Sequence, residues 1–232
     1  MGDRVVAGHQ PNFAPWLGFF YKLAHADAFF LLDSVQIGTG GYTNRVRVDS
    51  SNGATWLTIP VKHHFGQLIQ DTAIDESQLW RARHLATLRT LYGRKPFFDE
   101  TFPLVEQWYG EPHGDSLSAF NEGIIRSVAE LLGLRTEIVK SSSLGCTGAK
   151  TDLLVCLVRS LGASIYLSGH GGANYQDEQE FERAGIELRY SDFVHPVYQQ
   201  RGHEFIAGLS VLDMLFNCGP PAVREVLCVR SL

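Results

Sequence analysis

No basic excess marks this chain: lysine and arginine number 20 against 25 acidic residues, for a formal charge of -5. That argues against a general affinity for nucleic acid or anionic membrane, because such binding uses a basic face that neutralises phosphates. A local basic pocket, and with it a nucleotide or a tRNA acceptor end, stays compatible with the charge. No apolar run approaches the ~20 residues needed to span a bilayer. No secretory leader is expected, since residues 1–3 lead directly into a strand-like run. Cysteine is scarce, and Cys146, Cys156, Cys218 and Cys228 lie late in the chain without Cys-x-x-Cys spacing. They are expected as buried, reduced thiols of a cytoplasmic protein, with Cys146, in Ser-Leu-Gly-Cys-Thr-Gly, the one thiol to consider as a nucleophile. Also missing are a Gly-x-Ser-x-Gly elbow, a His-Glu-x-x-His zinc helix, a Walker A loop and a dinucleotide glycine fingerprint.

What is present is an ordinary globular composition, 44% apolar, 19% charged and 11% aromatic over 232 residues. That length can bury a sizeable core, and one domain over residues 1–232 is the economical reading. Arg4–Gly8 reads as an apolar strand, Trp16–Ala24 as a helix with Trp16, Phe19, Phe20 and Leu23 at helical spacing, and Ala28–Leu32 as a strand buried on both faces. Strand, helix and strand in succession make a parallel β-α-β unit. Tyr42–Val48 and Thr55–Pro60 form a hairpin around an Asn-Gly turn signal. A helical insertion follows over Gln78–Tyr92, residues 97–108 and Ser116–Leu132, with Asp115 or Ser116 as cap of the third and Gly133 at its end. Alternation then returns: strand Thr136–Ser141, helix Lys150–Leu161, strand Ser164–Ser168, helix Asp177–Ala184, strand Ile186–Tyr190, and a helix over Val211–Asn217 capped by Ser210 and ended by Cys-Gly-Pro-Pro. The fold expected is α/β, a mostly parallel sheet with flanking helices, a β-hairpin and a helical insertion.

Chemistry-bearing residues gather at the expected strand ends. In an open parallel sheet, ligands bind at the carboxyl ends of strands, where helix N-termini point donors outward. The loop after the first strand carries His9, Gln10, Asn12 and Trp16 between two prolines, and the next strand ends in Asp33 and Gln36. Asn44 and Arg45 open the hairpin, with Arg45 and Arg47 on one strand face suited to a phosphate or carboxylate, or simply solvated. Trp80, His84, Leu88 and Tyr92 make a helix stripe that reads first as core, leaving His84 as its one site candidate. An apolar strand then runs into Gly169-His-Gly-Gly-Ala-Asn-Tyr175, whose glycines let backbone amides approach an anion, with a following helix adding its dipole, and with His170, Asn174 and Tyr175 around the pocket. Asp192 and His195, ahead of Arg201-Gly-His203, can form an orienting carboxylate–histidine pair. His9, Asp33, His84, His170 and His195 are possible metal ligands, yet no pair has diagnostic spacing, so no metal site is assigned. The sequence singles out no cofactor.

Together these segments resemble the WbqC-like family. The resemblance rests on His9-Gln-Pro-x-x-x-Pro-Trp-x-Gly18, Leu-Asp-x-Val-Gln36, Asn44-Arg45, Trp-Leu-Thr-Ile-Pro-Val61 and Trp80-x-x-x-His84. It continues through Gly-Ala-Lys-Thr151, Tyr166-Leu-Ser-Gly169, His195-Pro-x-Tyr198 and Leu209-Ser-x-Leu-Asp213 with Leu-Phe-Asn217. It implies a role in building or decorating a sugar or secondary metabolite, in bacterial O-antigen, polysaccharide or natural-product biosynthesis, and it brings no settled mechanism.

The density of ionisable side chains favours a transferase that moves an acyl, aminoacyl or similar activated group onto an amino sugar or other amine. His9 is then the general base, Asp33 orients it or the acceptor, His195 is a third catalytic candidate, and Arg45 with the Gly169 loop holds the donor's anionic part. The expected partners are a small-molecule substrate such as a sugar nucleotide or activated acyl donor, and a carrier protein or aminoacyl-tRNA delivering it. A non-catalytic ligand-binding or scaffold protein is the alternative. Nucleotidyl transfer ranks last, because its His-x-x-His element is missing.

Overall fold

The structure, a computed structural model, describes residues 3–174, 176–202 and 204–228. It opens with strand β1 (Val5–His9), helix α1 (Leu17–Ala24) and strand β2 (Ala28–Leu31), and β1 and β2 pair in parallel. The uninterrupted Ala-Phe-Phe-Leu run of β2 has a simple cause: both its faces are covered. Ala28 and Phe30 enter one apolar cluster and Phe29 and Leu31 the other.

The insertion begins with the antiparallel hairpin β3 (Arg45–Ser50) and β4 (Gly53–Thr58), then the small pair β5 (Val61–Lys62) and β6 (Ala73–Ile74). The hairpin turn is Ser51-Asn52, one residue earlier than the Asn-Gly signal, because Ser50 pairs directly with Gly53. Helices α2 (Trp80–Tyr92), α3 (Phe98–Gly110) and α4 (Leu117–Leu131) follow. Trp80, His84, Leu88 and Tyr92 are the buried stripe of α2. Ser116 caps α4, its hydroxyl accepting from the Ala119 amide at 3.2 Å.

The chain then adds β7 (Glu137–Lys140), α5 (Lys150–Ser160), β8 (Ile165–Ser168), α6 (Glu178–Arg183), β9 (Glu187–Tyr190) and α7 (Val211–Cys228). The expected stop after Asn217 is instead an internal break. Gly219 takes a φ of 80°, and helix resumes from Pro220-Pro221. Proline suits the first turn of a helix, where its missing N–H has no intrahelical partner to lose, so Gly-Pro-Pro ends one helix and starts another.

The five-stranded sheet runs β7-β2-β1-β8-β9, with every pairing parallel. Strands are laid outward from β1 to β2 and β7, and the chain then crosses back to place β8 and β9 on the other side. The order therefore reverses between β1 and β8, which is where an open parallel sheet leaves a crevice at its carboxyl end. Residues of α1, α3, α4 and α7 cover one face with the insertion, and those of α5 and α6 cover the other. Among the described residues no helix is long and apolar enough to cross a membrane.

Candidate functional site

A cavity of about 680 Å³ opens at that crevice. Its wall takes His9 from the end of β1, Leu32 just past β2, Ser168 to Gly172 from the end of β8, and Ser191 just past β9. The exit loop of the first strand and the glycine turn after β8 thus face one space. Its floor is apolar, with Phe30, Tyr166, Leu153 and Leu154. Its basic lining is His9, Lys22, Lys150 and His170, with no Asp or Glu among the described lining residues. Such a wall suits a ligand that is part apolar and part anionic.

Gly8 makes the floor possible. A Cβ there would lie 2.1 Å from the Phe30 ring, so the aromatic side chain can lie over β1 only where no side chain stands.

His9 is oriented by backbone. Its Nδ1 lies 3.1 Å from the Gln10 carbonyl, which can only accept, so Nδ1 carries the hydrogen and Nε2 is left as an acceptor without a protein partner among the described residues. The ring stands edge-on to Trp16 at 5.2 Å and tilted against Phe19 at 5.5 Å. Burial first, and the Lys22 charge second, lower its pKa from 6.5 to about 3, so the imidazole is neutral. Gln10, also on the wall, accepts from the Thr43 hydroxyl at 3.3 Å. Trp16 and Gln36 complete that side.

Lys22 is the residue that reading the sequence missed. It sits in α1, is 5% exposed, and donates to the Gly8 carbonyl at 2.8 Å. Burial lowers its pKa from 10.5 to about 8. A signal for it was there: Leu17, Phe19, Phe20, Tyr21 and Leu23 leave α1 no polar face, and a helix apolar all round buries whatever lysine it carries.

Several expected site residues lie elsewhere and do other work. Asp33 is 1% exposed and off the cavity wall. It accepts from the Ser141 hydroxyl, from the amide and hydroxyl of Ser142, and from Ser118, so it ties the turn after β7 to the end of β2 rather than orienting His9. The Arg45 guanidinium stacks on Trp56 at 4.2 Å and donates to the Gly40 carbonyl, while Asn44 donates to the Ile59 carbonyl at 3.0 Å. Both serve the hairpin. Asn12 is buried off the wall. His84 is a core residue: Nε2 donates to the Thr58 carbonyl, Nδ1 accepts from the Tyr109 hydroxyl, both at 3.1 Å, and burial lowers its pKa to about 4. His195 sits off the wall with Nδ1 against the Pro196 carbonyl at 2.9 Å, and Asp192 accepts from Tyr21 at 2.6 Å. Of the three residues expected as catalytic, only His9 lines the cavity.

Gly169 and His170 do line it, and His170 stacks over Tyr190 at 6.3 Å. The helix behind this turn does not offer an anion its N-terminus. Asp177 caps α6 by accepting from Gln179, and Glu178 and Glu180 stand in its first turn. Tyr175 lies outside the described residues, as does His203, and for Asn174 only the backbone turn is described. The thiol expectation also fails, because Cys146 and Cys156 form a disulfide that leaves Cys146 no thiolate to act as a nucleophile. Cys218 is half-buried and Cys228 exposed. Among the described residues no cluster of three His, Cys, Asp or Glu is placed to hold a metal.

Comparison with known proteins shows the family and does not address the site. The model described as the WbqC-like protein family matches residues 10–225. A Mycobacterium tuberculosis protein, "Uncharacterized protein Rv1507c", is 31% identical over 222 residues, covering 94% of this chain and 96% of the relative. No solved structure matches.

Proposed function

The chain belongs to the WbqC-like protein family, and from the chemistry of its cavity we propose that it is a transferase moving an acyl, aminoacyl or similar activated group onto an amine. The observation that carries this reading is the His9 Nε2 lone pair beside an ammonium in a carboxylate-free cavity. An anionic activated donor lies with its apolar part on the Phe30–Tyr166 floor and its anionic part toward the Gly169 turn. The acceptor amine attacks the donor carbonyl, His9 takes the amine's proton, and an amide bond forms. The bond to the leaving group then breaks, the leaving group departs with its electron pair, and the His9 proton passes to it or to water. A free imidazole with a pKa of about 3 is a weak base. A bound anion offsets the burial cost of the imidazolium and strengthens that base as the donor arrives. The acceptor in this proposal is an amino sugar or other amine of polysaccharide, O-antigen or natural-product biosynthesis. The donor is free, as in an acyl phosphate, or delivered on a carrier protein or aminoacyl-tRNA, and a sugar nucleotide enters as the amine-bearing acceptor.

The test is a mass-spectrometric screen of purified protein with activated acyl donors and amino-sugar nucleotides. Turnover that His9→Ala removes supports the assignment, and turnover that His9→Ala leaves untouched ends the role of His9. The low His9 pKa also favours a second reading, a non-catalytic binding protein in the same kind of pathway. Tight ligand binding with no turnover of any donor tried selects it.

A further inference from the structure

Pairing between β1 and β8 stops at Ala7–Leu167, and beyond it the two strands part. Lys22 fills the gap. Its Nζ takes the Gly8 carbonyl at 2.8 Å, and a Cβ at Gly169, on the far side, would lie 3.9 Å from the same nitrogen. An ammonium has three N–H donors, and only the bond to Gly8 engages this one among the described residues. Among the described residues no salt bridge reaches it, and its aromatic neighbour Phe29 is 5.9 Å away. A cation buried with two donors unused and no counter-charge is unfavourable as it stands. Lys150, the other lysine of the cavity, is exposed, so water already solvates its charge.

We infer that Lys22 anchors the anionic group of the cavity's ligand, and that this ligand joins one oxyanion, phosphate or carboxylate, to an apolar body. The oxyanion accepts the two unused N–H donors at the Gly169 gap, and the body covers Phe30 and Tyr166. The inference rests on the cavity being the ligand site, and it does not need the transfer step.

Phenyl phosphate, benzoate and neutral benzyl alcohol test it on the whole protein by calorimetry. An oxyanion binds wild-type protein more tightly than benzyl alcohol does, and Lys22→Met weakens that binding at least ~10-fold, while Lys62→Met, at an exposed lysine off the cavity wall, changes it less than ~3-fold. In case Lys22→Met does not fold, reductive methylation of the wild-type protein is mapped by peptide mass: phenyl phosphate or benzoate slows modification of Lys22. Equal affinity in Lys22→Met, benzyl alcohol binding as tightly as the oxyanions, no binding of either oxyanion, or no protection of Lys22 overturns the inference. Protection of Lys22 without acyl turnover keeps the anchor and removes the transferase, whereas turnover indifferent to Lys22→Met does the reverse.

Discussion

Lys22 Nζ bonds to the Gly8 carbonyl one residue beyond the last β1–β8 pair, so a side chain takes over where strand pairing ends. Had β8 stayed in register past Leu167, that carbonyl would meet a backbone amide and the crevice would be closed sheet. The cavity therefore exists because β8 turns away into the Gly169 loop, and the lysine compensates the carbonyl left behind.

Gly8→Ala tests the floor. The added Cβ would stand 2.1 and 2.3 Å from two carbons of the Phe30 ring. Phe30 cannot simply swing aside, since it stacks on Tyr166, which stacks on Phe181. Overpacking of this kind costs roughly 1–3 kcal/mol, read as a lower urea midpoint. Adding Phe30→Leu to the same chain restores part of the loss. A Gly8→Ala protein as stable as wild type would mean the ring does not lie over β1.

How far the sequence reads can be judged residue by residue. Ala28–Leu31 was legible because burial on both faces removes polar alternation, and the Trp80–Tyr92 stripe because four-residue spacing on a helix is one face. Asp33 and Arg45 were not. Residue type says that a carboxylate or guanidinium wants partners, and here the partners are serines far along the chain, two of them over a hundred positions away, and a tryptophan across the hairpin. Lys22 was hidden by the habit of lysines to stay solvated, and the disulfide by the fact that pairing is a distance in space. The shared cavity of the His9 and Gly169 loops could be anticipated, because parallel strands with adjacent ends bring their exit loops together.

Acid should weaken the fold through two histidines. The pKa of His9 falls from 6.5 to about 3 and that of His84 from 6.5 to about 4, chiefly by burial. Between those values and 6.5 the unfolded chain binds protons that the folded chain refuses, so stability falls as pH drops through that window. The loss is on the order of a few kcal/mol per histidine. Urea midpoints at pH 7, 6, 5 and 4 measure it. His84→Gln, which can still donate to Thr58, flattens part of the slope, and an unchanged slope in that variant would remove His84 from the account.

Asp213 illustrates motif residues that serve as scaffold. It is fully buried and accepts from the Tyr92 and Tyr198 hydroxyls at 2.7 Å and from Gln200 at 3.1 Å. These bonds join α7 to α2 and to the 191–200 segment that begins on the cavity wall. Asp213→Ala leaves the buried Tyr92 hydroxyl and the part-buried Tyr198 hydroxyl without their acceptor and should cost roughly 2–4 kcal/mol, with Tyr198→Phe costing about 1. A loss below about 1 kcal/mol for Asp213→Ala in urea unfolding would contradict the linchpin role.

The Cys146–Cys156 disulfide closes a short loop, 10 residues apart in sequence, that leads into α5 and spans Lys150, Leu153 and Leu154 of the cavity. Opening it gives the unfolded chain more freedom and releases the first turn of α5, where Lys150 holds a φ of 53°. Loop-closure entropy for this length is worth roughly 3 kcal/mol. Thiol titration of denatured, unreduced protein should therefore find the two cysteines Cys218 and Cys228, and reduction should expose all 4. Reduced protein and the Cys146→Ser/Cys156→Ser double variant should lose similar stability and bind the cavity's ligand more weakly, because Leu153 and Leu154 form part of its floor. Four reactive thiols before any reductant is added would show that no such bond constrains α5, and the stability of that wall would have to come from packing alone.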